Sequence, residues 1–202
     1  TGESILVIRL SSLGDILLTE PTIRALRKRF AGSHIDLLVA KEFVAAAELI
    51  PGHDRILSFD RQNSFHELRN FVRRNIRCYD IVVDLQNSPR SALLRMLLFP
   101  TLWVKAQRHR IRRWFLIRMK WDLYRERLPV RERYLKAVEM LGTHVDDSIL
   151  QLKAAETTNE DDSSTKRIVL CPGAKHFTKR WPRDRWIALG KTLKSDGYRI
   201  EV

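Results

Sequence analysis

Short apolar runs return at residues 5–10, 35–40, 55–59, 79–85 and 102–106, and helical patterns stand between them. Runs of this length, bounded by turn residues, read as buried strands, whereas apolar spacing of three and four reads as helix. Parallel neighbours need a crossover long enough to hold a helix, so the alternation points to a parallel sheet with helices on its faces. A β-sandwich would show strand following strand, and a bundle would lack the strand-length runs. The chain is therefore expected to be α/β, with a doubly wound, Rossmann-like sheet.

The first unit, residues 5–30, carries the most information. An apolar run (Ile5, Leu6, Val7, Ile8 and Leu10) leads into Ser11-Ser12-Leu13-Gly14, then Asp15, then an apolar helical pattern through residue 30. Strand, tight turn and helix in that order make a ligand site at the carboxyl end of a strand. Asp15 has two readings at this point. Ser12 and Asp15 have the spacing of a capping box, in which the carboxylate meets the free N–H groups of the helix start. The same acid at the mouth of a crevice is a candidate for chemistry. Gly14 keeps the space beside it clear, or else serves for its dihedral freedom.

Further along, residues 42–50 read as a short helix stopped by Pro51-Gly52, and residues 64–76 as a helix with Phe65, Leu68, Phe71 and Val72 on one face. Ser88-Pro89 opens another as N-cap and first residue, with Arg90 and Ser91 in its first turn. Residues 130–141 form a helix that Gly142 ends. Residues 153–165 are polar and acidic, as a linker would be. A strand at 167–171, a loop at 172–182, a helix at 183–194 and a strand at 198–202 then begin a second α/β unit. The expected division is 1–152, 153–165 and 166–202. The start without methionine and the end inside a strand-like run fit a fragment.

The 37 Lys and Arg residues exceed the 24 acids by 13, and most of the excess precedes residue 150. Such a field favours polyanions: nucleic acid, anionic head groups, phosphorylated glycans or nucleotides. Residues 105–127 concentrate it, with Trp114, Phe115 and Trp121 among the basic residues. Their apolar residues spread around most of a helical wheel. That fits either a partly buried crossover with solvated arginines or a contact with a phosphate-rich or membrane surface. Cys78 and Cys171 lie far apart and in no metal-like spacing, as in a reducing cytoplasm. No apolar run nears the ~20 residues of a membrane span; the best, residues 92–99, is broken by Arg95.

A second candidate site lies in residues 171–182, CPGAKHFTKRWP. Pro172-Gly173-Ala174 makes a small-residue turn after a strand, and Lys175, Lys179 and Arg180 follow before the next helix. Backbone N–H groups and cations on one loop suit a phosphate, at roughly 1.5–3 kcal/mol per charge-assisted bond. The plainer alternative is a solvated basic loop with Trp181 as a core plug.

Taken together these stretches resemble glycosyltransferase family 9, which contains the lipopolysaccharide heptosyltransferases. A leading S-x-G-D-x-x-x-x-x-P pattern is met by Ser12, Gly14, Asp15 and Pro21. D-x-Q-x-x-x-R/K-S is met by Asp84, Gln86, Arg90 and Ser91. P-G-A followed by K-R-W-P is met by Pro172, Gly173, Ala174, Lys179, Arg180, Trp181 and Pro182. The resemblance implies a GT-B type architecture. An acceptor-side Rossmann-like domain would occupy 1–152, and residues 166–202 would begin a nucleotide-sugar-binding domain, incomplete in this chain.

The implied reaction is a metal-independent, inverting sugar transfer, with heptose moving from ADP-heptose to the phosphorylated inner core of lipopolysaccharide. The donor is a substrate, and no cofactor is called for. Asp15 would be the general base. Lys179, with Lys175, Arg180, Gly173 and Ala174, would hold the donor diphosphate. Ser11, Ser12, Gly14, Gln86 and Arg90 would face acceptor or sugar. A cytoplasmic enzyme, peripheral at the anionic inner face of the membrane, is expected, without nucleic acid. The family's second domain continues to further nucleotide-pocket residues, so this length alone is expected to be inactive. A rival reading is a basic α/β module that binds anionic membrane or nucleic acid without catalysis, although no RNP, KH or zinc pattern supports it.

Overall fold

A computed structural model describes residues 2–60, 65–75, 79–107, 110–122, 128–144, 149–153, 166–174 and 177–202. Lys175, Cys78, the expected helix ends at Ser64 and Ile76, and residues 154–165 of the expected linker lie outside them. The chain forms two compact units, residues 1–155 and 156–202.

In the first unit five strands, β1 (Ser4–Ile8), β2 (His34–Ala40), β3 (Arg55–Phe59), β4 (Ile81–Asp84) and β5 (Leu102–Lys105), pair in the order β3-β2-β1-β4-β5. All four pairings are parallel. β1 is central because both of its faces are apolar: Ile5, Leu6, Val7 and Ile8 are fully buried. Ile5 and Val7 pack on one side with Ile16 of α1 (Leu13–Leu17), with Ile23 and Leu26 of α2 (Glu20–Arg29), with Ala47 of α3 (Val44–Glu48), and with Tyr134 and Val138 of α7 (Val130–Val138). Leu6 and Ile8 pack on the other side with Leu68 and Val72 of α4 (Phe65–Asn75) and Leu94 and Leu98 of α5 (Pro89–Leu98). Each such side chain contributes about 1.5–3 kcal/mol of burial. Strand order reverses between β1 and β4, so the crevice beyond their carboxyl ends is where this architecture holds a ligand.

Two expectations need correction. The helical pattern after the first turn is two helices, α1 and α2, because Pro21 has no N–H to continue the ladder and instead sits in the first turn of α2. The helix expected at 42–50 begins as a 3₁₀ turn, Lys41–Phe43, and its α-helical part is only α3. Where it is described, the segment 105–127 is partly buried: Ala106 is buried, and Phe115 and Leu116 are half-buried. In α6 (Arg110–Arg118) and the turn after it, Trp114, Ile117, Met119 and Trp121 are exposed. Gly142 does end the helical run after α7, in the left-handed conformation with φ +71°.

Two buried carboxylates in the first unit, Glu20 and Asp36, are paired with arginines. Glu20 is fully buried; it bonds Arg24 at 2.8 Å and accepts from the Gln151 amide at 3.1 Å, while Arg24 donates to the Ile149 carbonyl at 2.9 Å. These bonds strap residues 149–151 to α2. At the amino ends of the strands, buried Asp36 accepts from Arg55 (2.6 Å) and from the Tyr79 hydroxyl, and His34 lies 2.9 Å away. Burial pushes the Tyr79 phenol upward, which keeps it a donor.

The second unit pairs β6 (Arg167–Val169) with β7 (Arg199–Glu201) in parallel, joined through α8 (Arg183–Ser195). Trp181 is not a core plug: it is 42% exposed and meets Trp186 edge-on at 5.2 Å.

Candidate active site

The carboxyl end of β1 is built around a residue that belongs to none of the three motifs. Arg9 directly follows β1, and its amide donates to the Leu38 carbonyl at 3.0 Å, which extends the parallel ladder. It is 6% exposed. Nη1 donates to the Leu85 carbonyl at 2.7 Å, Nη2 donates to Oδ2 of Asp15, and the guanidinium lies 5.4 Å from the Tyr134 ring centroid. Its signal in the sequence is its place: a charged residue inside an apolar strand run must find a partner, because burying it alone is prohibitive.

Asp15 is the third residue of α1, with Ser12 as N-cap. The capping geometry exists, since the Ser12 hydroxyl and amide donate to Oδ2 at 3.1 and 3.4 Å. These bonds and Arg9 converge on the same oxygen. Among the described residues no donor reaches Oδ1, and the Asp15 side chain is 29% exposed. Capping and chemistry are therefore compatible: one oxygen is anchored and the other is available. Gly14 has an ordinary φ, and a Cβ built there meets nothing within 4 Å. Its value is open space beside the acid, not dihedral freedom.

The loop after β4 is tied to this one. The Ser11 amide donates to Gln86 Oε1 at 3.3 Å, and Gln86 Nε2 donates to the Ser11 hydroxyl at 3.4 Å. Beneath them Asp84 Oδ1 accepts from the Gln86 and Asn87 amides at 3.0 and 2.7 Å, and Asn87 turns the chain with φ 42°. Ser88 and Ser91 then cap α5 reciprocally, with Ser91 fully buried. Ser11, Ser12, Gly14, Asp15 and Gln86 thus form one cluster. Arg90 stands apart from it, exposed at the start of α5.

Burial, first of all, pushes the Asp84 carboxyl above the usual carboxylate range; bonds from Ser91, Asn87 and Gln86 and the Arg9 charge pull against this without cancelling it. The native state then binds this proton at higher pH than the unfolded chain does. Asp84's contribution to stability is full below the ordinary carboxylate pKa of about 4 and is lost as pH rises through the raised value. Asp84→Asn keeps the Oδ1 acceptor and removes the buried charge. Its stability relative to wild type is expected to improve from pH 4 to pH 7 in urea unfolding. A relative loss over that range would show that the charge itself holds the loop.

In the second unit, the 3₁₀ turn Phe177–Lys179 presents Lys179 exposed to solvent. Arg180 staples the loop: its Nε donates to the Ala174 carbonyl at 2.7 Å. Gly173 faces open space. Beside the loop an apolar groove of about 920 Å3 runs along α8, lined by Leu170, Phe177, Trp181, Trp186 and Ile187 among others. Arg180, Arg183, Lys191 and Lys194 also line it. Among the described residues no group of three or more His, Cys, Asp or Glu could hold a metal ion, and no helix is long and apolar enough to cross a membrane.

A five-stranded parallel sheet followed by a second parallel α/β unit is the order of elements in a GT-B type chain. Solved structures share this fold. A glycosyl transferase family 9 protein from Veillonella parvula superposes with a TM-score of 0.78 at 23% identity, over 98% of this chain and 62% of its own. An E. coli heptosyltransferase solved with ADP superposes at 0.70 and 20% identity, over 98% and 66%. The sequence model of glycosyltransferase family 9 (heptosyltransferase) matches residues 68–202, and the chain belongs to that family. Among curated relatives, lipopolysaccharide heptosyltransferase 2 of E. coli K12 is 28% identical over 97% of this chain, and lipopolysaccharide heptosyltransferase 1 of Pseudomonas aeruginosa is 24% identical over 98%. The chain spans 62% and 60% of their respective lengths.

Proposed function

We propose that this chain is the acceptor-side domain, with part of the donor side, of an inverting, metal-independent glycosyltransferase of lipopolysaccharide core assembly that uses a nucleotide-activated heptose, ADP-heptose in the simplest case. The observation that carries the reading is the Asp15 carboxylate, with one oxygen held by Arg9 and Ser12 and the other met by no donor among the described residues. Family membership supplies the reaction class, and it disfavours a non-catalytic binding module.

The chemistry is a single displacement. An acceptor hydroxyl attacks the anomeric carbon as the bond to the diphosphate breaks, and the configuration inverts. Asp15 takes the hydroxyl proton through its free oxygen. The nucleoside diphosphate leaves with the bonding electrons, and Lys179 stabilises its charge, with Lys175, Arg180 and the Gly173-Ala174 backbone as further phosphate contacts. Ser11, Ser12, Gln86 and Arg90 contact the acceptor or sugar, and Gly14 lets it approach. The acceptor is the phosphorylated, lipid-linked core, so the enzyme works from the cytoplasm at the inner membrane face. The donor is a substrate, and no cofactor takes part.

The test is transfer by the full-length protein from ADP-heptose to a phosphorylated core acceptor, read by mass spectrometry, with anomeric configuration by NMR. Product of inverted configuration that forms in the presence of a chelator is expected. No transfer from any nucleotide sugar overturns the reading. Lys179→Ala is expected to lower kcat/KM about tenfold to a hundredfold, the worth of one charge-assisted phosphate contact. An unchanged value removes Lys179 from the donor site.

A further inference from the structure

The exposed face of α6 and the turn after it is a feature that sugar transfer does not use. Trp114, Ile117 and Trp121 stand at spacings of three and four, and they are 57%, 68% and 58% exposed. Met119 beside them is exposed as well. The turn is built rather than loose: Lys120 takes φ 56°, and the Met119 and Trp121 amides both donate to the Phe115 carbonyl, at 2.9 and 3.3 Å. Phe115 meets Trp114 edge-on at 5.1 Å and stacks on Trp121 at 6.3 Å with an interplanar angle of 6°. Three rings therefore form one ledge at the surface. Arg118 and Lys120 flank it, exposed. The whole stretch from Arg110 to Asp122 carries Arg110, Arg112, Arg113, Arg118 and Lys120 against the single acid Asp122.

We infer that α6 and its turn form an interfacial docking element that lays Trp114, Ile117, Met119 and Trp121 into the head-group region of an anionic bilayer, with Arg118 and Lys120 on the lipid phosphates. Contiguous exposed apolar surface marks a contact site. Tryptophan beside Lys and Arg is the composition that settles at the boundary between head groups and acyl chains, and each cation near an anionic surface adds attraction. Charge complementarity selects an anionic occupant. The Phe115 and Trp121 faces are already stacked on each other, which leaves less ring surface for bases and favours lipid over single-stranded nucleic acid. The inference rests on the proposed function for why a membrane is at hand, and on α6 for how it is met.

The test uses the full-length protein without sugar nucleotide, so its outcome is separate from that of sugar transfer. Co-sedimentation is measured with vesicles of phosphatidylcholine alone and of phosphatidylcholine with an equal part of phosphatidylglycerol. Binding to the anionic vesicles is expected to exceed that to neutral ones about tenfold and to weaken with salt. The double variant Trp114→Ser with Trp121→Ser, and separately Ile117→Glu at a residue already in solvent, are expected to lower partitioning about tenfold with the circular dichroism spectrum unchanged. Trp181→Phe, in the other unit, leaves it unchanged. Equal binding to both vesicle types, partitioning indifferent to Ile117→Glu, or an α6-dependent affinity for RNA or protein in place of vesicles each overturns the inference.

Discussion

Asp15→Asn in the full-length protein is expected to lower kcat about 10²–10⁴-fold, the usual contribution of a positioned general base, while donor affinity and the fold stay as they are. Asparagine is nearly isosteric and still offers an oxygen to Arg9 Nη2 and the Ser12 hydroxyl, so the start of α1 remains capped. What it lacks is a second oxygen able to take a proton. A purely structural Asp15 would give the opposite pattern, with turnover kept and stability lowered by about 1–3 kcal/mol, because the buried Arg9 cation and the helix start both lose their carboxylate. Single-turnover kinetics alongside donor titration separate the two. A variant that keeps most of its turnover takes Asp15 out of the chemistry.

Arg9→Met is expected to destabilise the first unit by about 2–4 kcal/mol, measured by chemical denaturation. The methionine fills similar volume, but the Leu85 carbonyl loses the Nη1 bond and Asp15 loses its cation. The figure lies below that for breaking a fully buried pair because the Asp15 side chain is part-exposed. Arg9→Lys keeps the charge but cannot donate to Leu85 and Asp15 in the same fork, and it is expected to recover part of the loss. The double-mutant cycle with Asp15→Asn isolates the pair: a coupling of about 1–3 kcal/mol is expected, because in that background Arg9→Met no longer strands a charge. Additive effects would mean that Arg9 acts through Leu85 and the Tyr134 ring alone. Since Arg9 touches no substrate in this scheme, its effect on turnover comes through the orientation of Asp15 and falls on kcat more than on KM.

Much of the architecture is readable along the chain because its causes are local. Largely apolar runs at 5–8, 35–40 and 81–84 become strands because they are short, rich in branched residues and bounded by turn residues, and Ser88-Pro89 and Gly142 mark helix ends through their own hydrogen bonds and dihedrals. Order and spacing are enough to link Asp15, Gln86 and Ser91 to one family pattern. Other features depend on partners far away in sequence. Arg9 looks like a blemish in a strand until Leu85 and Tyr134, 76 and more residues on, close around it. Whether Gly14 serves dihedral or space turns on what surrounds it, and whether Trp114 and Trp121 are core or surface turns on which faces the sheet has already covered. Periodicity and capping are properties of neighbours in the chain, so residue order alone dictated strands, crossovers and the acid at the first turn. Burial and ion pairing are properties of neighbours in space, so the anchoring of that acid by Arg9, its one free oxygen and the bare aromatic ledge on α6 emerged only once the chain had closed on itself.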